Sequence, residues 1–70
     1  MNTYTTKNYL KAVINYEKII AMIKTQDHER CGIEVFFDNY AFEVWYGDDE
    51  KARDEDFENI QKKLENKETP

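Results

Sequence analysis

The stretch from Gly32 to Glu50, GIEVFFDNYAFEVWYGDDE, constrains this chain most. It is dense in Val, Ile, Phe, Tyr and Trp, the residues that fit a pleated and half-buried surface. Asp38 and Asn39 both tolerate positive φ, so as a two-residue turn they fold the stretch back on itself. Side chains alternate along a strand, so this register sets Phe37 against Tyr40, Val35 against Phe42 and Ile33 against Val44 on one face. A three-residue turn would place Val35 opposite Glu43 and mix core with polar positions. The opposite face then carries Glu34 against Glu43, Phe36 against Ala41 and Gly32 against Trp45. Two glutamates directly across a hairpin repel unless something basic lies over them.

Upstream, TYTTKNYLKAVINYEKIIAMIKTQ places Tyr9, Val13, Tyr16, Ile20 and Ile23 at three-and-four spacing, with Ala12 and Ile19 widening the stripe. The spacing predicts a helix over 6–25, with Thr5 or Thr6 as its N-cap. Leu10, Ile14 and Ala21 form a second, narrower apolar shoulder on that helix, a candidate self-association surface. Lys7, Lys11 and Lys18 make a small basic line opposite the main stripe.

Downstream, acids crowd the segment from Asp48, and Lys62 and Lys63 follow a thin stripe of Phe57, Ile60 and Leu64. This gradient suits the helix dipole and predicts a helix over 50–66, followed by a frayed tail at 67–70. With strands at 32–38 and 40–46, residues 1–70 read as a single α+β domain of order αββα. Both helices are expected to pack on one face of the antiparallel hairpin. An isolated hairpin is marginal in water, so that cover, or extra strands from a partner, is required.

Seventy residues bury only about 60% of the surface that the unfolded chain exposes, and small scaffolds commonly add a disulfide, a metal or a partner. A single Cys31 excludes an internal disulfide, and one Cys with His28 supplies too few soft ligands for a closed zinc site. No cofactor or metal is expected. Cys31 and His28, three residues apart, could pair as a thiolate nucleophile, but no oxyanion hole is marked and the reading is structural. The run DDEKARDEDFE lacks the glycine of a calcium loop and interposes Lys51 and Arg53. There is no glycine-rich phosphate loop. The chain reads as a protein without catalysis.

Charge is more informative. Across residues 48–58, Asp48, Asp49, Glu50, Asp54, Glu55, Asp56 and Glu58 stand against only Lys51 and Arg53, so this eleven-residue stretch holds the entire net charge of −5. Direct nucleic-acid binding, which needs a basic surface to neutralise phosphates, is not expected. The longest unbroken apolar run, Ile19 to Ile23, is far short of a membrane span, and no signal pattern opens the chain, so a cytoplasmic setting is expected.

The seven acids, together with Glu34, Phe36, Glu43 and Trp45, form the candidate partner-binding set. An acidic and aromatic surface of this kind suits a basic protein partner, including a groove that otherwise takes nucleic acid. In size and acidity the chain is similar to phage or mobile-element inhibitors of nucleic-acid enzymes, such as anti-restriction or anti-CRISPR proteins. The alternative expectation is a homo-oligomer, plausibly a homodimer, acting as a regulatory or structural subunit.

Overall fold

The structure, a computed structural model, describes residues 2–66. The expected fraying at 67–70 lies outside the described residues. Among the described residues, two antiparallel sheets and one α-helix make up the fold, which is α+β but not two helices on a hairpin. Strands β1 (Thr3–Thr5) and β2 (Val13–Asn15) form a short ribbon that pairs Tyr4 with Ile14. A 3-10 turn at Tyr16–Lys18 follows, capped by the Asn15 side chain, which accepts from the Glu17 amide at 3.2 Å. Strands β3 (Ala21–Asp27), β4 (Arg30–Phe36) and β5 (Ala41–Trp45) then run as a meander in the order β3-β4-β5, and helix α1 (Glu50–Asn66) closes the fold.

The expected helix over 6–25 does not form; that segment supplies β1, β2, the 3-10 turn and β3. Its residues explain why. Thr3, Thr5, Thr6, Val13, Ile14, Ile19, Ile20, Ile23 and Thr25 are β-branched, which limits χ1 freedom in a helix and favours a pleated surface. Asn8 and Asn15 bond to nearby backbone instead of continuing a helical ladder. The three-and-four stripe is no buried face, since Tyr9, Val13, Ile20 and Ile23 are exposed. The shoulder dissolves as well. Leu10 lies in the β1–β2 loop, Ala21 begins β3, and Ile14, only 2% exposed, is core and unavailable for association.

The β4–β5 hairpin has the register read from its turn: Ile33 pairs with Val44, Val35 with Phe42, Glu34 with Glu43 and Gly32 with Trp45. The Phe37 amide donates to the Tyr40 carbonyl at 2.7 Å across Asp38 and Asn39. Its missing third strand comes from the chain itself, because β3 pairs along the other side of β4, from Ala21 against Phe36 to Asp27 against Arg30.

One face of this sheet is core. Cys31, Ile33, Val35, Phe37, Val44 and Tyr46 are buried with Ile14, Ile19 and Ile60, and Tyr4, Met22, Phe57 and Leu64 pack around them. Buried positions on α1 recur at Arg53, Asp56 and Ile60, so the helix lays one narrow stripe on β4. Asp56 is 0% exposed. Its carboxylate accepts from the Tyr4 hydroxyl at 2.6 Å, the Tyr46 hydroxyl at 2.7 Å and the Lys7 amide at 2.7 Å, and these donors satisfy a charge that would otherwise be costly to bury. That one side chain ties both sheets to the helix.

Candidate functional site

Among the described residues, no helix or strand packs over the other face of the β3-β4-β5 sheet. Alternation along the three strands brings Ala21, Ile23 and Thr25 beside Phe36, Glu34 and Gly32, and these beside Ala41, Glu43 and Trp45. The sequence-predicted residues Glu34, Phe36, Glu43 and Trp45 therefore do share a surface. Glu34, Phe36 and Trp45 are half-buried, while Glu43 is exposed. Ile23, which the helical reading assigned elsewhere, joins them at 49% exposure.

At one end of this face Trp45 lies over Gly32. A Cβ at Gly32 would stand 3.0 Å from Trp45 Cε3 and 2.6 Å from the Val44 carbonyl, so only glycine lets the indole settle there. The Arg30 guanidinium lies over the indole, 4.5 Å from its centre, in a cation–π contact. Trp45 is thus held as a fixed platform rather than a free side chain. At the centre, Glu34 and Glu43 are paired directly across the strands, and among the described residues neither carboxylate has a hydrogen bond or ion pair. Like charges in that position destabilise a sheet.

The acidic run does not gather around this face. Asp56 is buried under the tyrosines and cannot reach a partner. Asp54 accepts from Arg53 Nε at 2.7 Å and pairs with Lys24 at 3.1 Å, which holds its carboxyl below the usual carboxylate range. Glu55 pairs with Lys7 at 3.6 Å and Glu58 with Lys62 at 4.0 Å. Asp49 caps α1, accepting from the Ala52 amide at 3.1 Å. Asp48 and Glu50 are exposed and border an open cleft of about 610 Å³ that also meets His28, Arg30 and Cys31. Five of the seven acids, Asp49, Asp54, Glu55, Asp56 and Glu58, are thus engaged in local structural contacts.

Cleft chemistry is weak. Cys31 is buried, burial pushes its thiol above the ordinary value, and no hydrogen bond joins it to His28. His28 is exposed beside Asp27 at 3.8 Å. Among the described residues, no group of three or more His, Cys, Asp or Glu is placed to hold a metal ion. No helix among them is long and apolar enough to cross a membrane.

Sequence reasoning missed Ile23, Arg30 and the structural role of Asp56. The last had a visible signal: Asp56 sits three after Arg53 and four before Ile60, on the inward stripe of α1. Comparison with protein-family models, curated proteins and solved structures finds no match to this chain.

Proposed function

We propose that this chain is a non-catalytic binding protein whose open sheet face takes a basic surface of a protein partner. The observation that carries the reading is the Glu34–Glu43 pair. Folding sets two carboxylates against each other and, among the described residues, gives neither a cation, on a face flanked by Ile23, Phe36 and Trp45. A local rule broken without internal compensation marks a place where compensation comes from outside. Lysines or arginines of a partner would relieve the repulsion, and apolar groups beside them would cover Ile23 and Phe36.

A basic groove that ordinarily holds nucleic acid is one surface of this chemistry, and covering it would make the chain a competitive inhibitor of a nucleic-acid enzyme. That finer reading, of the anti-restriction or anti-CRISPR kind, rests on the net charge of −5 and on the exposed acids Asp48 and Glu50. The test is affinity capture from a lysate of the source cell, read by mass spectrometry, with wild-type chain and Glu34→Lys side by side. Basic proteins retained at low salt by the wild type and lost with the variant would support the reading. Identical captured sets would overturn it.

A further inference from the structure

We infer that the acidic sheet face of one copy takes the Tyr9–Leu10 loop of a second copy, so that the chain associates head to tail. This rests on the reading of that face as a surface for basic, apolar partners.

The loop between β1 and β2 is built as a rigid presenter. The Thr6 amide donates to the Ala12 carbonyl at 2.8 Å, and the Ala12 amide donates back to the Thr6 hydroxyl at 2.8 Å. Within that closure the Lys11 amide donates to Asn8 Oδ1 at 2.9 Å. Two bonds fix the loop to the body: the Lys7 amide to Asp56 at 2.7 Å, and Asn8 Nδ2 to the Trp45 carbonyl at 3.2 Å. Thr6 and Asn8 are buried. Yet Tyr9 is 96% and Leu10 82% exposed. An ordered loop that holds an aromatic and an aliphatic side chain in solvent loses little conformational freedom on docking.

The occupant follows from charge. Tyr9 and Leu10 stand between exposed Lys7 and Lys11, in a chain whose net charge is −5. Such a loop carries two positive charges on an acidic molecule, and it matches one face in particular. Two lysines meet the unpaired Glu34 and Glu43, and two apolar side chains meet Ile23 and Phe36. Lys7 already has an exposed partner in Glu55 at 3.6 Å, a contact weak enough to exchange. The contact forms between copies, because in the single chain Tyr9 and Leu10 touch almost nothing. Loop and face are different surfaces, so the interface is heterologous and leaves a free loop at one end and a free face at the other.

Sedimentation velocity on the full chain tests this, with circular dichroism confirming that each variant is folded. Wild type should grow past twice the monomer mass with concentration, and less so at high salt. A loop variant, Tyr9→Ser with Leu10→Ser, and a face variant, Glu34→Lys with Glu43→Lys, should each remain monomeric. Mixed in equal amounts, they should form only a complex of twice the monomer mass, since one intact loop and one intact face remain. A monomeric wild type, an associating single variant or a monomeric mixture would each overturn the inference. Lysate capture by the monomeric loop variant, which keeps the face, decides the binding reading separately.

Discussion

The hydroxyl of Tyr46 donates to the carboxylate of Asp56 over 2.7 Å, and both residues are buried. Tyr46 directly follows β5, Asp56 lies on α1, and the same carboxylate collects Tyr4 from β1 and the Lys7 amide from the loop. Removing one hydroxyl with Tyr46→Phe should cost about 1.5–3 kcal/mol, the range for a hydrogen bond to a charged group. Asp56→Ala strands three donors at once and should cost about 3 kcal/mol or more. Urea unfolding checks both, and equal small losses would show that the network is not cooperative.

Alkaline pH should expose the same network. Burial, and then the hydrogen bond to Asp56, push the Tyr46 phenol far above its ordinary value of 10.0, and the Tyr4 phenol is raised by the same causes. The folded state keeps these protons where the unfolded chain gives them up. The contribution is therefore fully present below pH 10 and declines as pH rises beyond it, with a slope of about 1.36 kcal/mol per pH unit for each phenol. Unfolding midpoints measured from neutral pH upward should stay flat and then fall, and Tyr46→Phe should make the fall shallower.

Gly32→Ala tests the Trp45 platform. Its Cβ would meet the Val44 carbonyl at 2.6 Å, a backbone atom that cannot rotate away, as well as the indole at 3.0 Å. The strand must shift, at about 1–3 kcal/mol as for other overpacked sites. Tryptophan fluorescence should change along with the melting temperature. A variant with both unaltered would mean that Trp45 does not rest on Gly32.

How much of this was legible differs between the halves of the chain. From Gly32 onward, a two-residue turn and strict alternation fixed which side chains oppose each other, and the charge gradient marked α1. Before it, three-and-four spacing outweighed residue type. Tyr9, Val13, Ile20 and Ile23 recur like a helix face only because a loop, the short strand β2, a turn and the start of β3 happened to space them so. The dense Thr, Ile, Val and Tyr content was the better guide, and the hairpin's need for a third strand pointed the same way. The open face was readable in its Phe36, Trp45, Glu34 and Glu43 members. Ile23 was not, since pairing with β3 puts it there, and Arg30 was not, since it lies in a polar stretch yet opens β4. The acidic run misled because the ion pairs of Asp54 and Glu55 and the burial of Asp56 are set by tertiary contacts.

Arg53 should protect the sheet edge. Its buried guanidinium donates to the Thr25 carbonyl at 3.1 Å on edge strand β3 and to Asp54 at 2.7 Å. Arg53→Met keeps the packing stem but frees that carbonyl and leaves Asp54 only Lys24, at about 1.5–3 kcal/mol if both bonds count. An unblunted edge also invites strand pairing between chains. Light scattering during slow heating should show earlier aggregation than in wild type, and Arg53→Lys, which lacks the fork to serve both acceptors, should restore little.

Stability and binding should part company at Glu34. Its cross-strand partner is Glu43 and neither carboxylate has a cation among the described residues, so Glu34→Lys replaces repulsion with attraction and should stabilise the fold by about 0.2–1 kcal/mol. One position along, Val35 is wholly buried against the helix side of the sheet, and Val35→Asp places an unpaired charge there, which a domain of this size should not survive. The opposite outcomes at adjacent positions are a direct check on the register, read by thermal unfolding of the two variants. The same Glu34→Lys chain, now more stable than wild type, should lose the basic partner that the face holds, because the new ammonium repels the charges that the glutamate attracted. Loss of binding in a stabilised protein separates a contact role from a folding role, which no destabilising variant can do. A Glu34→Lys chain that binds as well as wild type would place the contact surface elsewhere on the molecule.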